Sequence, residues 1–382
     1  MKVVLLTNAD SIFCKEYVEY VLLGKFEILI VSPNNRQYRQ YYKENGIKVL
    51  HYLDSEMLAK RLEGQICSND IFHVHYVDGR VLKKLWKPWL MCKIRILSYW
   101  GSDLLRVQPK QILSTLPFLY SADNITVINK SMRQKLKKYV IRTKWRHIKC
   151  LDFGNSAFDK IDVASVLMSA EKSKKYFELN PKKTIIFVGY NANREQQHLE
   201  MMREAAKLPK ELIEEVFFVF HFGYGAVNNN YIKQLEAFLC GNDIPYKILT
   251  QFMNKDDIAV LRLCADIFLY GQTTDALSSS VMEYLYAGAV LVKPAWLDYL
   301  QLREKGIKYY EYEQFDEIPK LLEEIIKRET GRTNKGEKEQ RILRNLSSWD
   351  RLAPKWLALY KEEPDDKRRK IHMAKGRYRK SL

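Results

Sequence analysis

Residues 265–294 read Ala-Asp-Ile-Phe-Leu-Tyr-Gly-Gln-Thr-Thr-Asp-Ala-Leu-Ser-Ser-Ser-Val-Met-Glu-Tyr-Leu-Tyr-Ala-Gly-Ala-Val-Leu-Val-Lys-Pro. Ile267 to Tyr270 is too apolar for a strand with one wet face, so it predicts a short buried strand. A polar loop, Gly271 to Leu277, follows. Ser278, Ser279 and Ser280 suit a helix start, because hydroxyls can satisfy the free N–H groups of a first turn. Val281, Met282, Leu285 and Tyr286 give that helix its apolar side, and Gly288 stops it. Ala289 to Val292 supply the next apolar strand. Strand, loop, helix and strand in this order build a parallel sheet.

The same alternation opens the chain. Lys2–Leu6, Phe26–Val31, Ile47–Leu50, Ile71–His75 and Ile94–Tyr99 read as strands, with helices over Ser11–Leu23 and Met57–Cys67. A doubly wound sheet follows, whose ligands sit outside the carboxyl ends of its strands. The Gly-x-Gly-x-x-Gly fingerprint is missing after the first strand, where Thr7-Asn8-Ala9-Asp10 stand, so a dinucleotide cofactor is not expected. At 382 residues the chain is long for one domain, and the polar, lysine-rich stretch from Ala164 to Lys183 is the expected boundary. Thr184 to Gly189 starts a second set of strands, continued by Phe217–Phe220 and Lys247–Thr250.

Chemistry enters through the loops. A helix N-terminus carries unpaired N–H donors and partial positive charge, which suits a phosphate. Asp275 and Glu283 flank the Ser278–Ser280 start with seven residues between them. A carboxylate one turn inside such a helix can accept both hydroxyls of a ribose. Diphosphate on the helix end and ribose on Glu283 would hold a sugar nucleotide; the plain alternative is an α/β unit with solvated acids. Gly189 leads into Asn191, Asn193, Arg194 and His198, a second anion cradle. His198 could donate to a phosphate oxygen or protonate a departing diphosphate, or be a helix-surface histidine. His73 and His75 share one face of their strand. His75 could line a cleft or be a hydrogen-bonded structural histidine; a metal site lacks a third ligand nearby.

These motifs resemble GT-B glycosyltransferases, in particular their retaining family-four members. That family carries two acids with seven residues between, then a helix ending Ala-x-Gly and a Val-rich strand. Here Asp275 stands for the first acid, and the usual Gly-Phe-Gly after it is absent. Trp100-Gly101-Ser102-Asp103 stands where many members read His-Gly-Ser-Asp. The Trp-Gly-x-Asp corner, the Asn193/His198 turn and Tyr224-Gly225 are similar to bacterial transferases that move an acetamido-dideoxygalactose onto a lipid-linked intermediate. The resemblance implies two Rossmann-like α/β/α domains facing across a cleft, 1–165 on the acceptor side and 166–340 on the donor side. Residues 341–366 would be helices packing back on the first domain, and 367–382 a basic tail. It implies transfer of a sugar from a nucleotide diphosphate to a glycan or lipid-linked acceptor, in bacterial surface polysaccharide synthesis, with anomeric retention. Asp103, His198 and Asp275 are the catalytic candidates. Gly189, Asn193, Arg194, Tyr224, Gly225, Ser278, Ser279, Ser280 and Glu283 would bind the donor, and His75 and Trp100 would face the acceptor. Trp100 could stack on a sugar or fill a wall; Asp103 could be a base, a hydroxyl ligand or an N-cap. A catalytically idle relative acting as a basic adaptor is the alternative.

No Asp-x-Asp occurs in the chain, so no metal cofactor is expected to bridge the diphosphate. Six scattered cysteines suggest neither zinc nor a disulfide framework, and with them a reduced, cytoplasmic setting. The net charge of +17 asks for a partner. Residues 80–102 hold six basic residues, 130–149 nine and Lys367–Leu382 eight, and none of the three stretches contains an acid. Cations mixed with Trp86 and Trp89 favour an anionic membrane surface, placing the protein on the inner face of the cell membrane. Nucleic acid ranks second, since no motif of its usual readers is present, and a solvated basic face is the bland alternative for 130–149.

Overall fold

A computed structural model describes residues 1–52, 55–223, 229–328 and 337–362. They form two compact units, Met1–Gly154 with the chain from Trp349 onward, and Asn155–Ser348.

The first unit is built on seven parallel strands: β1 (Lys2–Leu6), β2 (Glu27–Ser32), β3 (Lys48–His51), β4 (Ile71–His75), β5 (Ile94–Ser98), β6 (Asn124–Val127) and β7 (Ile148–Cys150), ordered β3-β2-β1-β4-β5-β6-β7. Val3 stands opposite Ile28 on one side and Ile71 on the other. Helices cover both faces, which is why β1 is apolar from Val3 to Leu6 and β4 is buried along its whole length, His73 and His75 included. The second unit has six parallel strands: β8 (Thr184–Val188), β9 (Val216–His221), β10 (Tyr246–Leu249), β11 (Ile267–Leu269), β12 (Val290–Pro294) and β13 (Tyr310–Tyr312), ordered β10-β9-β8-β11-β12-β13. The α/β class with doubly wound parallel sheets is therefore as expected. Strand β13, short and polar, had no sequence signal; it exists because β12 offers it an edge, Val292 against Tyr310.

The division falls earlier than the expected 165/166. The helix Ala157–Leu167 buries Phe158, Ile161 and Ala164 in the core of the second unit, so apolar contact outweighs the polar look of the following segment. At the other end the expected 341–366 segment divides. Glu337–Ser347 stays with the second unit, where Arg344 donates to Asp159 and Asp162. Trp349–Lys361 packs on the first unit: Trp349 Nε1 donates to Glu16 and Trp356 Nε1 to the Asp152 carbonyl, both at 2.9 Å. Gly154 has to be glycine, because a Cβ there would overlap the Trp349 indole.

Candidate functional site

Each sheet reverses its strand order once, between β1 and β4 in the first and between β8 and β11 in the second. The crevice outside such a reversal is where open parallel sheets bind ligands. Backbone strain gathers there too. Five non-glycine residues have left-handed φ among the described residues, and three of them, Tyr76, Gln197 and Leu277, lie in the connections leaving β4, β8 and β11. Such conformations cost about 1–3 kcal/mol each and persist where the surroundings impose them.

In the first unit the corner after β5 is held by Asp103. Its Oδ2 accepts the Val77 N–H at 2.8 Å, and Oδ1 accepts those of Trp100 and Gly101 at 2.9 and 3.0 Å. The carboxylate thus ties the β4 and β5 exits together. Burial pushes it up to about 6 against the pull of those amides. With both oxygens so committed to backbone amides, Asp103 staples the corner, which is nearer the capping role than the base or hydroxyl ligand that the sequence equally allowed. His75 is fully buried, with ring centroids 4.5 Å from Tyr17, 5.3 Å from Trp100 and 5.3 Å from Phe153. Neither ring nitrogen has a partner among the described residues, and burial holds the imidazole neutral, well below its ordinary range. Trp100 packs on Phe153 at 4.5 Å and edge-on to Phe13 at 5.4 Å. The two acceptor-side candidates therefore meet each other, inside an aromatic cluster. His73 is structural: Nδ1 bonds the Tyr360 hydroxyl and Nε2 the Ser98 hydroxyl, both at 2.7 Å.

In the second unit the exits of β8 and β11 lie against each other. The Gly189 N–H donates to the Leu269 carbonyl at 3.0 Å, and Thr273 N–H to Glu195 carbonyl at 3.0 Å. Gly189 adopts φ +61, and a Cβ there would overlap His198 Nε2 and lie 3.1 Å from Gln196 Oε1. A Cβ on Gly271 would lie 2.7 Å from Met201 Sδ and 2.9 Å from the Gln196 carbonyl. Two glycines thus let backbone approach a polar interior closely.

That interior is under-satisfied. Both amide atoms of Gln196, His198 Nε2, Gln272 Oε1 and both nitrogens of His221 are buried with no hydrogen-bond partner among the described residues. Native interiors leave few such atoms, so a cluster of them needs a ligand or water to complete it. His198 lies deeper than expected: Nδ1 is 3.2 Å from the Tyr231 hydroxyl, and burial pushes the imidazole down to about 3. It is a buried histidine, held toward the neutral form, rather than a surface one. Arg194 is exposed and lies over the Tyr231 ring at 5.5 Å, while Asn193 is exposed beside it. Tyr224 and Gly225 lie outside the described residues.

The loop from β11 to the helix Ser279–Tyr286 is shaped by Asp275. Oδ2 accepts from the Tyr270 hydroxyl at 3.0 Å, the Tyr299 hydroxyl at 2.5 Å and the Ser278 N–H at 2.8 Å. Oδ1 takes the Ala276 N–H at 2.8 Å. Burial raises this carboxyl, with those four donors opposing. Asp275 is a loop former rather than a free catalytic acid. Ser278 caps the helix, its Oγ accepting the Val281 N–H at 3.4 Å.

Glu283 departs furthest from expectation. It is nearly buried, with Oε2 3.0 Å from Arg262 Nε and Oε1 3.2 Å from Asn155 Nδ2. Arg262 also reaches Ser280 Oγ at 3.5 Å and lies over the Tyr284 ring at 4.2 Å. The carboxylate expected to grip a ribose is neutralised by a buried guanidinium. Ser279 offers its carbonyl to Asn155 at 3.4 Å. Sequence reasoning missed Arg262 and Gln272. A lone cation in the apolar run Val260-Leu261-Arg262-Leu263-Cys264 was a readable signal for a buried ion pair, since an unpaired charge there would be prohibitive. Gln272 had only its place after a strand end. No group of His, Cys, Asp and Glu among the described residues has the makings of a metal site.

A family model described as glycosyl transferase 4-like matches residues 2–129. No curated protein matches the chain. Among solved structures, HepE from Anabaena in complex with UDP-glucose aligns with a TM-score of 0.71 at 13% identity, over 93% of this chain and 98% of that one. Sucrose-phosphate synthase from Thermosynechococcus elongatus gives 0.73 at 11% identity, over 94% and 98%. The α,α-trehalose 6-phosphate synthase from Burkholderia multivorans gives 0.70 at 12%, over 99% and 98%. At such identities the likeness carries the architecture: the chain has the GT-B type of fold.

Proposed function

We propose that the chain is a glycosyltransferase that takes its sugar from a nucleoside diphosphate, with a glycan or lipid-linked acceptor. One observation carries the reading. At the β8/β11 reversal of the second unit the unpartnered Gln196 amide and His198 imidazole line Gly189, which admits close approach, Gln272 follows Gly271, and the unpartnered His221 ends the neighbouring β9. A phosphorylated sugar supplies the many acceptors and donors that such groups lack. The departing diphosphate would meet the helix start at Ser278–Ser280 and the exposed Arg194, both positive. Glu283 acts on the donor indirectly, by fixing Arg262 beneath Ser280. Anomeric retention and a place in surface polysaccharide synthesis belong to this proposal.

The test is nucleotide binding. UDP, GDP, CDP and dTDP are screened for a rise in melting temperature; about 2.7 kcal/mol of stabilisation is expected at a hundred times Kd. Gln196→Leu with Gln272→Leu should leave the melting temperature of the free protein nearly unchanged, because groups without partners lose little. The same variant should lose the nucleotide response. No response to any of the four nucleotides would sink the reading.

A second reading has its own support: Asp103, Asp275 and Glu283 each have both oxygens engaged. A binding protein without turnover would keep the nucleotide response and release no nucleoside diphosphate from any sugar donor in the presence of acceptor extracts.

A further inference from the structure

The positive charge is concentrated in one part of the first unit. Between Gly79 and Lys149 there are seventeen Lys and Arg and two acids, Asp103 and Asp123. Neither acid faces water freely. Asp103 is buried in its backbone cage, and Asp123 is held by Arg95 at 3.2 Å, both side chains largely covered. Among the described residues, acids from elsewhere pair with Arg80, Lys87 and Lys149 through Asp78, Glu63 and Glu362.

Large apolar side chains stand exposed in this cationic field: Trp86 at 37%, Leu113 at 51%, Tyr120 at 38% and Ile141 at 60%. The elements carrying them adjoin. Trp86, on the helix Trp86–Met91, packs edge-on to Phe118 of the helix Leu116–Ser121 at 4.9 Å. The Tyr120 hydroxyl, on that same helix, accepts the Ile141 N–H at 3.2 Å. Leu113 belongs to Pro109–Ser114, which meets the helix Gly79–Lys84 at Gly79 and Ser114. Exposed Lys83, Lys84, Lys110, Arg142 and Arg146 border the four.

We propose that this face docks the protein on an anionic lipid membrane, with Trp86, Leu113, Tyr120 and Ile141 entering the headgroup region and the cations meeting lipid charge. No helix among the described residues is long and apolar enough to cross a membrane, so the contact is with its surface. Like charge gathered on one face repels itself, and an anionic partner relieves that. Nucleic acid would answer the cations but gives Leu113 and Ile141 nothing apolar to enter. A bilayer interface answers both, as indole and phenol rings settle at headgroup depth. The inference stands apart from the nucleotide-sugar reading and can fail without it.

The test is co-sedimentation of the full chain with vesicles of phosphatidylcholine alone or mixed equally with phosphatidylglycerol. Binding to the mixed vesicles and its weakening by salt are expected. Lys83→Gln, Lys84→Gln and Arg142→Gln together should lower the partition coefficient roughly a hundredfold. Leu113→Ser with Ile141→Ser should lower it several-fold and make the remainder more sensitive to salt. All five side chains are exposed, and an unchanged melting temperature verifies the fold. A variant with the eight Lys and Arg of residues 367–382 changed to Gln should keep most of the binding. Three results overturn the proposal: indifference to phosphatidylglycerol, loss confined to the tail variant, or equal binding by the wild type and the serine variant. Tighter retention by a single-stranded oligonucleotide, lost with the same three cations, would assign the face to nucleic acid instead.

Discussion

The two strand-order reversals share a topology and differ in chemistry. Outside β1 and β4 the space is filled: His75, Trp100, Phe153 and Tyr17 pack on one another, and Asp103 locks the corner with three backbone amides. Outside β8 and β11 two glycines face buried polar atoms without partners, and beside them lies a buried ion pair. Both leave buried polar atoms without partners among the described residues: His75 and Trp100 Nε1 against aromatic rings in the first, amides and imidazoles in the second. Equivalent positions in a repeated architecture thus carry different work, and the lining, aromatic rings in one and amides with close-approach glycines in the other, tells them apart where topology cannot.

The largest expected effect tests what the regions share. Each holds two histidines neutral by burial: His73, His198 and His221 are pushed down to about 3, and His75 well below its ordinary value. In the unfolded chain they titrate near 6.5. The unfolded state therefore binds more protons, so stability is complete above 6.5 and is lost as pH falls from there toward 3. Asp103, raised to about 6 from 3.8, works in the opposite sense and offsets up to one proton. A net uptake of roughly two to three protons on unfolding near pH 5 corresponds to about 3–4 kcal/mol per pH unit. Denaturant titrations between pH 7 and pH 5 measure it; a flat profile would mean that the imidazoles are not sealed from water.

A smaller effect separates the regions. Glu283→Ala strands the Arg262 charge in the interior of the second unit and should cost about 3–5 kcal/mol. Arg262→Met with Glu283→Met removes both charges and should return to within about 1–2 kcal/mol of the wild type. Loss of nucleotide binding by Glu283→Ala with no loss of stability would restore the ribose-ligand role and break the contrast drawn here.

The smallest effect lies in the backbone. Gly189→Ala meets both a left-handed φ and the His198 ring, and should cost about 2 kcal/mol along with nucleotide affinity. Tyr76→Gly, at φ 65 in the first unit, should stay within about 0.5 kcal/mol, because relief of strain offsets the looser unfolded chain. Melting curves of the two variants compare them directly.

The alternation of apolar runs and polar turns carried most of the fold, because strands buried on both faces show an unbroken apolar signature and helices a 3.6-residue period. The helix start at Ser278 was legible for the same local reason, since a cap is made by residues three apart. The fates of Asp103, Asp275 and Glu283 were not legible. Each acid has the same composition whether it faces a substrate or a guanidinium, and beside any local partners each has one far away in the chain: Val77 for Asp103, Tyr299 for Asp275, Arg262 and Asn155 for Glu283.

The sequence alone thus determined most strands and helices, though not β13, and the concentration of charge between Gly79 and Lys149. Tertiary structure decided which polar groups are spent on the protein itself and which are left wanting. The reason is physical: hydrophobic periodicity is written within a few residues, whereas the satisfaction of a buried charge or amide depends on whatever distant segment the packing brings to it.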